Sequence, residues 1–163
     1  MRTKPLPSID HIRELLKYDP DTGVFTWTTN DKVFKKVRGK VAGTLHHDGY
    51  IDIKINRSKY RGHRIAWLMA EGTDPGDLQI DHINGIRDDN RRQNLRLVTH
   101  SQNAHNRRSA KGYHFDSRAR KWRASIKLDG KGVCLGYYST EEEARAAYVE
   151  AKAKFHPTSP IAK

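Results

Sequence analysis

Ile9, Ile12, Leu15 and Leu16 recur at helical spacing, and Ser8 is placed to cap them, which predicts a helix over residues 8–17. Asp19, Pro20, Asp21 and Gly23 then predict a turn, and residues 24–27 a short strand. Residues 30–40 are basic and carry little periodicity, so they read as a loop. Strands follow at 41–45 and 50–56, where apolar and polar positions alternate, and Arg57-Ser58 turns the chain into 59–61. Ile65, Ala66, Trp67, Leu68 and Met69 predict a short buried helix over 63–70, stopped by Gly72. Residues 78–80 and 95–98 read as strands flanking a loop rich in Asn, Asp, Arg and Gly, and Thr99 or Ser101 could cap a helix reaching about Arg108. Beyond Gly112 the pattern predicts strands at 113–116, 121–128 and 133–138, with Asp129-Gly130 as a hairpin turn. A helix over 141–155, opened by Ser139 or Thr140 and ended by Pro157 and Pro160, carries the stripe Ala144, Ala147, Tyr148, Ala151 and Phe155. The fold class is α+β. The expected division is residues 1–108, with the polar cluster at 78–108, and residues 109–163, a linker and a small sheet-plus-helix module.

Composition narrows the partner. Among 163 residues, 31 Lys and Arg face 19 Asp and Glu, a formal charge of +12. Such an excess points to a polyanion, most often nucleic acid, because bound phosphates release counterions. No apolar run approaches the roughly 20 residues of a bilayer span, so no membrane partner is expected. The N-terminal residues lack the apolar stretch of a signal peptide. The lone cysteine, Cys134, excludes an internal disulfide framework and any zinc site built on several cysteines. A cytoplasmic protein is expected.

Chemistry concentrates between Asp81 and Asn103. Asp81 and His82 sit at a strand end with side chains pointing different ways, so one can hold a metal while the other faces a water. Asn103, on the following helix, can return as a second oxygen donor. Phosphodiester hydrolysis uses a divalent ion to neutralise developing charge and a base to activate water. Carboxylate and amide oxygens suit Mg²⁺ or Mn²⁺, and a histidine of ordinary pKa serves as base near neutrality.

Residues 81–103 resemble the HNH, or ββα-metal, nuclease motif, with the closest likeness to phage-type HNH homing endonucleases. His82, Asn94 and Asn103 carry the match, with Asp81 directly before the histidine; Tyr50, His63, Arg64 and Trp67 extend it upstream. The resemblance implies His82 as general base, Asp81 and Asn103 as ligands of one Mg²⁺ or Mn²⁺ per active site, and Asn94 as the residue ordering the loop. It implies double-stranded DNA as substrate for a monomer or weak dimer with no small-molecule cofactor, in the host cytoplasm if the chain is phage-encoded. Ile86 departs from relatives that often carry an acidic residue there. Residues 18–27 resemble a segment often found ahead of such cores and are expected to support the nuclease sheet. His63 is expected to be structural or to meet a phosphate; His46, His47, His100, His105, His114 and His156 are expected at the surface.

In the strand at 121–128, Trp122, Ala124, Ile126 and Leu128 form one face, opposite Lys121, Arg123, Ser125 and Lys127. The apolar face has a partner in the 144–155 stripe, and the cationic face is expected to lie open as a β-sheet reader of DNA. Residues 111–157 resemble the plant APETALA, or ethylene-response-factor, DNA-binding domain, through Gly112, Tyr113, the 121–126 strand, Leu135 to Tyr138 and Thr140 to Ala144. Arg118, Arg120, Lys121, Arg123, Ser125, Lys127 and Lys131, with Arg107 and Arg108 in the linker, are the expected DNA contacts. The rival reading is a non-catalytic DNA-binding protein on a degenerate nuclease scaffold.

Overall fold

Ser8 accepts a hydrogen bond from the His11 N–H and opens α1 (Ile9–Leu15), which buries Ile12 and Leu15. The expected helix ends earlier than its hydrophobic spacing suggests. Leu16 turns to φ −130°, ψ 142° and starts β1 (Leu16–Tyr18). β1 pairs antiparallel with β2 (Phe25–Trp27), and Tyr18 stacks on Phe25 with ring centroids 5.0 Å apart. The extended backbone keeps Leu16 in the core while presenting Tyr18 to that pair, which another helical turn could not do.

The computed structural model describes residues 4–105, 111–128 and 130–156, and the chain divides into two units, Met1–Val98 and Thr99–Lys163. The boundary expected at 108/109 falls outside the described residues, as do Arg107 and Arg108.

In the first unit, β3 (Thr44–Leu45), β4 (Ile51–Ile55) and β5 (Ser58–Arg61) form an antiparallel meander. Asn56 (φ 48°) and Arg57 (φ 64°) make its tight β4–β5 turn, both left-handed as such two-residue hairpins require. The strand expected from residue 41 is shorter, Val41 making only an isolated bridge to Thr26. Helix α2 (Gly62–Glu71) follows, ended by Gly72 at φ 75°, whose N–H bonds the Leu68 carbonyl. Its buried Ile65, Ala66 and Leu68 meet Ile12, Leu16, Phe25, Ile53 and Ile55 in one core. β6 (Gln79–His82) and β7 (Leu95–Val98) form a two-stranded ribbon, docked on that core through Ile80 and Leu95.

The second unit holds α3 (His100–His105), the strands β8 (Tyr113–Asp116), β9 (Lys121–Leu128) and β10 (Lys131–Tyr138) in order β10-β9-β8, and α4 (Glu141–Phe155). α4 packs across all three strands. Thr140 is its cap: its hydroxyl accepts from the Glu143 N–H while the Glu143 carboxylate reaches back, a capping box. Gly112, at φ 67°, lies where a β-carbon would strike the Tyr148 ring. Ala124, Ile126, Ala144, Tyr148 and Ala151 are buried, as the pattern predicts. Phe155 departs from its stripe and is 45% exposed, while Lys152 lies buried in the same last turn. His156 is also buried, its Nε2 donating to the Lys127 carbonyl at 3.0 Å, and is no surface residue.

Candidate active site

The β6–β7 register places Asp81 opposite Arg96 and His82 opposite Leu95. Opposite charges on one face of an antiparallel pair attract. Here Arg96 donates to Asp81 Oδ2 from both Nε (3.0 Å) and Nη2 (2.7 Å). His82, one residue on, turns to the other face and is 5% exposed.

Residues 83–91, between the strands, close on themselves through short polar side chains. Asn94 Oδ1 accepts from the Asn84 N–H at 2.9 Å and Asn94 Nδ2 donates to the Asp89 carbonyl at 2.8 Å. Asn84 Nδ2 in turn donates to Asp89 Oδ2 at 2.7 Å, and Arg91 grips the same carboxylate from Nε (2.8 Å) and Nη2 (2.6 Å). Arg91 foremost holds the Asp89 carboxyl down to about 2.

Asn90 joins this loop to the N-terminal strands. It is 2% exposed, and its Oδ1 lies 3.5 Å from His82 Nε2, a long contact. Its backbone carbonyl accepts from the Tyr18 hydroxyl at 2.8 Å, and the Arg92 N–H donates to the Pro20 carbonyl at 2.9 Å. Gly23, at φ 75°, lies so close to the backbone of Asn90 and Arg91 that a β-carbon would stand 2.6–2.7 Å from it. The turn at 18–23, expected to give general support, thus clasps the loop beside His82.

Two aromatic neighbours flank the histidine. His63, at the start of α2, meets it edge-on with centroids 5.3 Å apart, and Tyr50 lies 5.8 Å away. Arg61 and Arg87 sit over the Tyr50 ring at 5.0 and 5.2 Å. Burial lowers the His82 pKa, partly offset by the Asn90 contact and by Asp81. Burial also pushes His63 down, to about 3, with His82, Arg61 and Arg64 adding to the effect. The His63 Nδ1 is shut off from solvent and has no hydrogen-bond partner among the described residues.

Asp81, His82 and Asn94 therefore share one ribbon and its loop, while Asn103 lies part-buried on α3 of the second unit. Asn90 and Arg96 were not singled out by sequence reasoning, whereas Tyr50 and His63 entered it through the resemblance, His63 as a structural residue or a phosphate contact. Only Arg96 left a readable signal there, its charge opposite Asp81 once the two strands are paired in register.

The expected DNA contacts lie on the second unit's sheet. Arg118 and Arg120 are exposed on the β8–β9 turn, where Asp116 Oδ1 accepts from the N–H groups of Arg118 and Ala119. Lys121, Lys127 and Lys131 are exposed, and Ser125 is part-buried. Arg123 lies over the Tyr137 ring at 6.0 Å, and its Nε is shielded with no acceptor among the described residues.

A family model described as HNH endonuclease matches residues 60–105, the stretch from β5 to α3. An uncharacterized HNH endonuclease of Acanthamoeba polyphaga mimivirus is 30% identical over 130 residues, spanning 77% of this chain and 67% of that protein. The chain belongs to the HNH endonuclease family. Among solved structures, it is similar to that of the HNH homing endonuclease I-HmuI, described for DNA binding and cleavage, with 25% identity, a TM-score of 0.48, and coverage of 92% of this chain and 90% of that one. Asp81, His82, Asn94 and Asn103 all fall within the family match, whereas Tyr18 and Tyr50 lie outside it.

Proposed function

We propose that this protein is a divalent-cation-dependent endonuclease that hydrolyses phosphodiester bonds in double-stranded DNA, with His82 as its general base. The observation that carries this reading is the buried His82 ring with Nε2 facing Asn90 Oδ1. An amide oxygen only accepts, so Nε2 keeps the proton and Nδ1 keeps the lone pair. Burial lowers the ring's pKa, so it is neutral and able to take a proton at neutral pH. Nδ1 then removes a proton from water as the oxygen attacks phosphorus in line. Asn94 acts at a distance, tying residues 84 and 89 together so that the loop holds its shape.

Asp81 and Asn103 would hold the cation. Their carboxylate and amide oxygens fit Mg²⁺ or Mn²⁺, since Mg²⁺ takes one or two protein oxygens and completes its shell with water and substrate phosphate. When bound, the ion neutralises charge building on the phosphate and the leaving oxygen. Arg96 fixes the rotamer of Asp81 by donating to its Oδ2 from Nε and Nη2.

Supercoiled plasmid incubated with the full chain should become nicked with Mg²⁺ or Mn²⁺ and remain intact with a chelator. Duplex binding without cation-dependent nicking on any plasmid or genomic DNA tried would replace this reading with a DNA-binding role.

In the same proposal the second unit reads the duplex as an APETALA-type sheet, with Arg118, Arg120, Lys121, Arg123, Ser125, Lys127 and Lys131 toward DNA. The exposure of Arg118, Arg120, Lys121, Lys127 and Lys131 supports this, because cations open to solvent are the ones a phosphate backbone can meet. Replacing Arg123 or Lys127 by Ala should weaken duplex binding and flatten the salt dependence by about one unit of log K against log salt per lost phosphate contact. Unchanged salt slopes in both variants would remove this sheet from the interface.

A further inference from the structure

The loop over residues 30–40 is basic without being disordered in shape. Val33 is buried in the core, the Val37 N–H bonds the Phe34 carbonyl at 2.9 Å, and Arg38 Nε donates to the Val33 carbonyl at 2.8 Å. Lys32 pairs with Glu14 and Arg38 with Asp31. Against this fixed frame, Phe34 stands 86% exposed, the most exposed of the large apolar side chains in the described residues. Placing a phenyl ring in water forgoes roughly 1.5–3 kcal/mol of burial. Nothing in the loop's own packing requires it, since Val33 anchors the turn.

Phe34 borders a groove of about 480 Å³. Leu15, Trp27, Val33, Val37 and Ile55 give it an apolar floor, and Lys32, Lys54 and Arg57 form a cationic rim. Arg57 is held there by the left-handed turn at the end of β4. Lys35, Lys36 and Lys40 add charge nearby, and none of the three has a carboxylate partner among the described residues.

We propose that this groove binds an unpaired nucleic-acid strand, with Phe34 stacking on a base and Lys54, Arg57 and the loop lysines taking phosphates. The charge selects a polyanion, and the aromatic edge with its apolar floor selects one that offers flat apolar faces. A duplex hides those faces inside its stack and offers phosphate and sugar outside. A single strand offers both at once, the combination that positively charged, aromatic-lined grooves recognise. The assignment rests on the nuclease reading only in that a strand beside a cut or frayed site would be its natural occupant.

Fluorescence anisotropy with a labelled oligothymidylate of about 20 nucleotides, longer than the ~4–16 nucleotide sites of such grooves, tests this with the full chain in chelator. Phe34→Ala should weaken oligothymidylate binding by about 5- to 150-fold, from loss of one stacked base. Because the ring is exposed, the variant should keep its thermal unfolding. The Lys54→Ala, Arg57→Ala double variant should flatten the slope of log K against log salt by about 1.4, two single-strand phosphate contacts. A matching oligouridylate shows whether the sugar matters. Wild-type affinity in Phe34→Ala, or no binding by the wild type, overturns the proposal; the first outcome leaves the groove to a protein partner. Plasmid nicking by the same wild-type preparation separates the two readings. Nicking without oligothymidylate binding sinks the groove alone, and Phe34-dependent binding without nicking sinks the nuclease alone.

Discussion

Replacing His82 by Ala should lower the proposed cation-dependent plasmid nicking by about 10²–10⁴-fold, the usual worth of a positioned general base, while leaving duplex affinity close to that of the wild type. The size of the loss follows from the neighbourhood. His63 is the other imidazole beside His82, but its pKa is held near 3 and its Nδ1 is sealed from solvent, so it is a poor substitute base. Asp81 is committed to Arg96, and Asp89 to Arg91 and Asn84. Since His82 is buried, Ala also leaves a cavity; His82→Asn fills more of the space and should be as inactive. Single-turnover nicking alongside duplex-binding isotherms reads both quantities. Retention of nicking within tenfold in both variants would assign the base elsewhere.

Acidification from about pH 8 to pH 5 should cost the folded protein about 2 kcal/mol through His63 alone. The sign follows from the direction of the shift. The folded pKa is depressed to about 3, while the unfolded chain titrates near the ordinary 6.5. Above 6.5 the imidazole is neutral in both states and contributes no pH dependence. Below 6.5 the unfolded state takes up the proton first, so stability falls by up to about 1.4 kcal/mol per pH unit until the folded pKa is reached. His82 is shifted the same way and adds to the slope. Asp48 and Asp89 are held low and lose stabilising interactions only at more acid pH, so the window above pH 5 belongs to the histidines. Urea unfolding of the full chain with Trp122→Phe leaves Trp27 and Trp67 as reporters of the first unit. There, His63→Gln should flatten the pH dependence by the stated amount. Parallel curves for the two proteins would mean that His63 is not held neutral.

Local pattern carried much of the architecture. Alternation over 50–56 and 121–128 yields β4 and β9, whose burial follows the alternation because successive side chains of a strand face opposite ways. Thr140 with Glu143 starts α4 as a reciprocal cap, a contact three residues long. Failures fall where neighbours distant in sequence decide. α1 stops at Leu15 because Leu16–Tyr18 is taken by pairing with β2. Phe155 lies outside the core because helical spacing defines a face but not how far its partner sheet extends. His156 is buried because the Lys127 carbonyl, 29 residues away, accepts its proton.

The candidate site divides along the same line. Residue types, spacing and the HNH resemblance they carry were enough to single out Asp81, His82, Asn94 and Asn103 as the candidate site, and all four fall within the stretch that the HNH endonuclease family model matches. Composition also pointed to the partner class, since a formal charge of +12 on 163 residues favours a polyanion whatever the fold. Only the tertiary structure decided how the histidine is set. Asn90 Oδ1 lies 3.5 Å from its Nε2, His63 and Tyr50 wall it, and Tyr18 holds Asn90 from 72 residues away. It also decided that Val33 is buried and its neighbour Phe34 exposed, a difference no pattern in 30–40 encodes. A side chain's identity fixes what it can do, but its dielectric surroundings and hydrogen-bond partners come from segments brought together by folding, and these set its pKa, its rotamer and its reach.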